Sequence, residues 1–79
     1  MTESEISTII NNANNSIGKE FATFRGCIWS ENEKCFIYRF ISDLDANEFL
    51  FRKHAIGNRF PLEVIQNDAD LAIVKEYVR

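Results

Sequence analysis

Two β-forming segments apolar on both faces constrain this chain more than any other feature. Segments 21–30 and 35–42 are rich in aromatic and β-branched side chains, and polar Glu31, Asn32, Glu33 and Lys34 separate them, which is the pattern of a hairpin. With Asn32 and Glu33 at the turn, Ser30 stands opposite Cys35, Ile28 opposite Ile37, and Phe24 opposite Ile41. One face then carries Phe24, Ile28, Ile37 and Ile41. The other carries Cys27, Trp29, Phe36, Tyr38 and Phe40. Strand side chains alternate, so both faces of such a ribbon need cover. Asn-Glu suits a tight type I′ turn less well than Asn-Gly, which leaves a longer loop with a shifted register as the alternative.

One cover is close at hand in the sequence. Residues 2–17 read as an amphipathic helix in which Ile6, Ile9, Ile10, Ala13 and Ile17 form a single stripe at spacings of three and four. Thr2 and Glu5 have capping-box spacing, in which hydroxyl and carboxylate each satisfy the other's backbone amide. Asn11, Asn12, Asn14 and Asn15 decorate the remaining surface and lower helix propensity, so this helix depends on docking its isoleucines. Gly18 is the expected stop, since glycine takes a positive φ without a Cβ clash.

The second half admits two readings. For residues 45–57 the helix reading uses Asp45 with Glu48 as a capping box, Ala46, Phe49, Leu50 and Lys53 as one face, and Gly57-Asn58 as the end. The strand reading uses Phe49, Leu50 and Phe51, with 48–56 as the third strand of a meander. Helix is favoured because two end signals agree with the period. Pro61 suits a first helical turn or an edge strand, and Asn67-Asp68 a cap or turn. Leu71, Val74 and Val78 repeat with helical spacing, giving an expected C-terminal helix; a hairpin of 62–66 with 72–78 is the rival. The expected fold is therefore α+β over a single domain, 1–79: an N-terminal amphipathic helix on a β-hairpin, or a three-stranded meander, with one or two C-terminal helices.

Composition narrows the function classes. The chain is 46% hydrophobic and 13% aromatic, enough for one thin core at 79 residues. A net charge of −3 argues against general polyanion binding. The acidic start and the lack of a long apolar run give no signal-peptide or membrane-span pattern, and two cysteines are too few for a disulfide framework. A cytoplasmic setting is the expectation.

Few residues could carry chemistry. His54 is the only histidine, so any imidazole scheme must use it; its plain alternative is a surface position at a helix end. Cys27 and Cys35 fall on opposite hairpin faces and read as small core residues. The pairs Asp43/Asp45 and Asp68/Asp70 lack the later glycine and glutamate of a calcium loop. The three glycines are too far apart for a phosphate loop. No cofactor or metal is expected.

Segment 49–60 is the exception. It carries Arg52, Lys53 and Arg59 with no acid, a local +3 in a chain of net −3, interleaved with Phe49, Phe51 and Phe60. Cations beside rings are what single strands and phosphorylated ligands need, although three phenylalanines in a core rimmed by basic stems give the same pattern. The expectation is a non-enzymatic protein–protein interaction module (an adaptor, an inhibitor or an assembly subunit), binding through Trp29, Tyr38, Arg52, Lys53 and Arg59. Its partner would be another protein or a second copy of the chain, and no membrane is expected to take part. Nucleic acid or a phosphorylated ligand on segment 49–60 is the alternative.

Overall fold

The structure, a computed structural model, describes residues 2–55 and 72–78 and the backbone of 62–66. In chain order it holds α1 (Glu3–Glu20), β1 (Phe24–Ser30), β2 (Cys35–Phe40), α2 (Asp43–Ala55), β3 (Leu62–Gln66) and β4 (Ala72–Tyr77). The strands form one antiparallel sheet in the order β1-β2-β4-β3. Ile17 of α1 and Ala46 and Phe49 of α2 share one buried cluster with Cys27, Phe36, Tyr38, Phe40, Ala72 and Val74. The register places all those strand residues on one face, so both helices pack on that side. The fold is α+β, two helices on one face of a four-stranded sheet.

The N-terminal expectations hold in most respects. Thr2 caps α1 through the reciprocal box with Glu5, and the isoleucine stripe faces the core, with Ile17 buried and Ile6, Ile9, Ile10 and Ala13 packed against it. Gly18 does not stop the helix. The amide of Phe21 still bonds to the carbonyl of Ile17 at 2.9 Å, and the chain turns extended only at Phe21 (φ −123°). The ring of Phe21 then lies edge-on to Phe40 and Phe49, with centroids 5.6 and 6.2 Å away. Burying an aromatic ring is worth roughly 1.5–3 kcal/mol, more than a glycine cap offers, so packing sets the end.

The hairpin exists with the expected pairs Ser30–Cys35 and Ile28–Ile37 around a four-residue loop rather than a two-residue turn. Lys34 takes the left-handed position (φ 54°) in that loop. The pair Phe24–Ile41 is corrected: a bulge between Phe24 and Gly26 sets Phe24 opposite Phe40. An extra residue flips every side chain beyond it to the other face. Phe24 therefore joins the helix-covered face, its ring 5.2 Å from that of Phe40, and Ile41 is left 45% exposed. Gly26 permits the bulge at φ 112°, and a Cβ there would come within 3.1 Å of Arg39 Nη2.

Residues 43–55 are helix, not a third strand. Ser42 begins α2 in place of Asp45: its hydroxyl accepts the Asp45 amide at 3.4 Å and its carbonyl the Ala46 amide at 3.1 Å. The carboxylate of Asp45 instead accepts from the Thr23 hydroxyl, tying α2 to the start of β1. The face of Ala46, Phe49, Leu50 and Lys53 is the inward one. The expected C-terminal helix is overturned: β4 pairs with β2 on one side and β3 on the other, as the rival hairpin required. Ala72, Val74 and Glu76 are buried, whereas Ile73, Lys75 and Tyr77 are half-buried. A strand with apolar residues on both faces and a glutamate on the inner one mimics helical spacing. The expectations at Gly57-Asn58, Arg59, Phe60, Pro61, Asn67-Asp68 and Leu71 lie outside the described residues.

Candidate functional site

α1 lies along β1, and α2 lies across β2, β4 and β3, so the two helices diverge over the sheet. The gap between them is a cleft of about 490 Å³, walled by Ile9, Ala13 and Ile17 on one side and Phe49, Arg52 and Lys53 on the other, with Tyr38 at its floor. Asn12, Ser16 and Glu20 complete the α1 rim. The rim is closed at one point by an ion pair, Arg52 Nη1 to Glu20 at 2.7 Å, with Arg52 Nε 3.4 Å from Glu48.

Beneath the cleft sits a polar cluster that sequence reasoning missed. Glu76 is 6% exposed on the covered face. It accepts the Tyr38 hydroxyl at 2.8 Å and pairs with Lys53 Nζ at 3.4 Å. That ammonium also lies 5.5 Å from the ring centres of both Tyr38 and Phe49, where the negative π faces favour a cation. Burial next to the Glu76 carboxylate pushes the Tyr38 phenol well above its ordinary range. The same two causes push the Cys27 thiol up to about 12, so both groups stay protonated at neutral pH. A neutral thiol is a poor nucleophile, and the acid and the amine neutralise each other. This site can bind by shape and by its rings.

The other expected binding residues are spread out. Trp29 is half-buried near the hairpin loop, its ring 4.8 Å from Phe36 and its Nε1 donating to Glu31 at 2.8 Å. Arg52 Cζ stacks 5.0 Å from the Phe21 ring. The structure thus brings Tyr38, Arg52 and Lys53 to one cleft and leaves Trp29 apart from it. His54 is exposed on the last turn of α2. Cys27 and Cys35 lie on opposite faces, both buried. Among the described residues no three metal-ligating side chains cluster, and no helix is long and apolar enough to cross a membrane.

Among the described residues no helix lies on the second face of the sheet. By register it carries Ile28 and Ser30 of β1, Cys35, Ile37 and Arg39 of β2, and Ile73, Lys75 and Tyr77 of β4. Ile28 and Ile37 stand side by side, with Ile73 diagonal to Ile37, making an apolar band. Arg39 borders it on one side, donating to the Arg25 carbonyl at 3.0 Å, and Lys75 on the other, paired with Glu33 at 2.8 Å. Glu33 holds the Lys75 ammonium above its ordinary range. Ile28 remains 43% exposed. No protein-family model matches the chain, and no curated protein or solved structure matches it either.

Proposed function

We propose that the chain is a protein–protein interaction module, an adaptor, inhibitor or assembly subunit that works by binding and not by catalysis. The observation that carries this reading is the open sheet face, where Ile28, Ile37 and Ile73 form a band with no described element over it. An apolar band on a rigid sheet is a typical docking surface, and its borders select the partner. Arg39 and Lys75 flank the band, so it fits a segment presenting an apolar strip with carboxylates at its margins. Arg52 and Lys53 support this reading over nucleic-acid binding, because each already lies against carboxylates of its own chain.

The test is capture from a host lysate with wild-type protein and with Ile28→Asp, which places a charge on the band without touching the core. A partner retained at high salt by the wild type, lost by Ile28→Asp and kept by Asn12→Ala is the expected result. The alternative has its own readout. Fluorescence anisotropy with a labelled single-stranded oligonucleotide at ~50 mM salt, where electrostatic affinity is strong, should show no binding. Binding that is lost in Arg52→Gln/Lys53→Gln would replace the proposal with the nucleic-acid reading.

A further inference from the structure

The cleft between α1 and α2 is held open from both sides. α1 is fixed to the outer edge of the sheet, where the Asn14 side chain accepts the Cys27 amide of β1 at 2.9 Å. α2 is fixed at its first turn, where Asp45 accepts the Thr23 hydroxyl, and at its last, where Lys53 meets Glu76 of β4. Neither helix can slide inward without breaking one of these bonds. The consequence shows on α1. Ile17 is buried, whereas Ile9 and Ala13 of the same stripe line the cleft and stay only partly covered. A space of about 490 Å³ falls toward the lower end of the range of small-molecule sites.

The charges around this space are already satisfied. Glu20 and Glu48 hold Arg52, and Glu76 holds Lys53. A charged ligand would have to break one of those pairs or enter without a counter-ion, and either is costly in an apolar cleft. A neutral ligand breaks nothing. The cations select further among neutral ligands. Arg52 Cζ lies 5.0 Å from the Phe21 ring, and Lys53 Nζ lies 5.5 Å from the rings of Tyr38 and Phe49, while both cationic side chains line the cleft. A paired cation still attracts a π face, so a ring entering the cleft extends an alternation of rings and cations already present in its wall. The mouth supplies polarity on one side, from the exposed Asn12 and Ser16 side chains of α1.

We infer that the cleft binds a neutral aromatic molecule of one or two rings. The ring sits between the Ile9–Ala13–Ile17 wall and the Arg52–Lys53 wall, with its polar edge at Asn12 and Ser16. The site lies on the opposite side of the sheet from the Ile28–Ile37–Ile73 band and does not depend on the reading of that band.

The test is a methyl-detected NMR titration of the full chain with indole, in which isoleucine and alanine methyls report the wall directly. Saturable shifts of Ile9, Ala13 and Ile17 are expected, with a dissociation constant at or below ~1 mM, as ligand efficiency allows for so small a molecule. Indole-3-acetate and tryptamine, its anionic and cationic relatives, should each bind on the order of tenfold more weakly. Cyclooctanol, neutral and of like size but without π electrons, should bind roughly 2–10-fold more weakly. Ala13→Phe should fill the cleft, keep the circular dichroism of the wild type and weaken indole about tenfold or more, a loss of about 1.4 kcal/mol. The wild-type titrations decide the matter even where that variant fails to fold. No saturable shift by ~5 mM indole, or a charged relative or cyclooctanol bound as tightly as indole, overturns the inference. So does a folded Ala13→Phe that binds indole as the wild type does. Shifts confined to Ile28, Ile37 and Ile73 overturn it too, placing the probe on the open face.

Discussion

The two faces of the sheet draw on similar side chains and end in opposite conditions. On the covered face Phe36, Tyr38, Phe40 and Val74 are 2% exposed or less, and the buried carboxylate beside them, Glu76, is held by a phenol and an ammonium. On the open face Ile28 is 43% exposed and Ile37, Ile73 and Tyr77 are only partly buried, although Cys35 on that face is fully buried, and the cations beside them reach outward to Glu33 and to backbone carbonyls. Hydrophobicity alone does not separate the faces, since both are rich in large apolar residues. What separates them is which face the helices take. The difference teaches that the covered face is where stability resides, and the proposed recognition draws on the other.

The strongest way to break that contrast is to cut one large side chain from each face. Phe40 contacts the rings of Phe21, Phe24 and Phe49, so Phe40→Ala should cost about 3–5 kcal/mol, enough to unfold much of a domain this small. Ile28→Ala should cost under about 1 kcal/mol, because roughly half its surface is already in water. Urea denaturation of both variants checks this, and equal losses would mean that the open face is covered in solution.

The polar cluster comes next. Tyr38→Phe leaves the ring and removes the hydroxyl that Glu76 accepts, so a buried carboxylate loses one partner. The expected loss is about 1–3 kcal/mol, read from the urea midpoint. A neutral outcome would show water reaching Glu76 from the cleft.

A smaller effect distinguishes two asparagines on α1. Asn14→Ala removes the cap on the Cys27 amide and should cost about 1 kcal/mol. Asn12→Ala, on the exposed rim, should stay within about 0.5 kcal/mol. Thermal melts of the pair test whether α1 seals the β1 edge or only rests on it.

The smallest effect near neutral pH is a titration. The folded Cys27 thiol ionises only near 12, against roughly 8.5 in an unfolded chain. Above about pH 8.5 the unfolded state therefore holds fewer protons than the folded one, and stability falls as pH rises toward 12. The raised Tyr38 phenol acts in the same direction. Below pH 8 neither group contributes a slope. Melts at pH 7.5, 9 and 10.5 should show a flat region followed by a decline, and a thiol reagent at pH 8 should leave Cys27 unmodified until urea is added.

How much of this was legible beforehand varies along the chain, for reasons that can be named. The Thr2–Glu5 box and the isoleucine stripe were readable because capping and amphipathic spacing act within a few residues. So was the inward face of α2. The Ser30–Cys35 register was readable because a short loop ties its two strands directly. In the candidate site, Arg52 and Lys53 were found as a basic segment and Tyr38 as a hairpin aromatic. Glu76 was missed. The signal was present as alternation through Ala72, Val74 and Glu76, but a glutamate in the inward position makes that alternation look broken.

The sequence by itself determined that the chain has an N-terminal helix, a hairpin with two apolar faces and an inward stripe on α2, since each follows from local sterics and periodicity. Only the tertiary structure decided that Phe24 crosses to the covered face, that Asn14 closes the β1 edge, and that 72–77 is a strand between β2 and β3. It also decided that Glu76 meets Tyr38 and Lys53. Most of these join segments 13 or more residues apart; the exceptions are the pairing of β4 with β3 and the Phe24 crossing, which depends on a bulge that Arg39 supports from the neighbouring strand. Such contacts arise from competition among whole packings for one thin core, and no local window of sequence contains that competition.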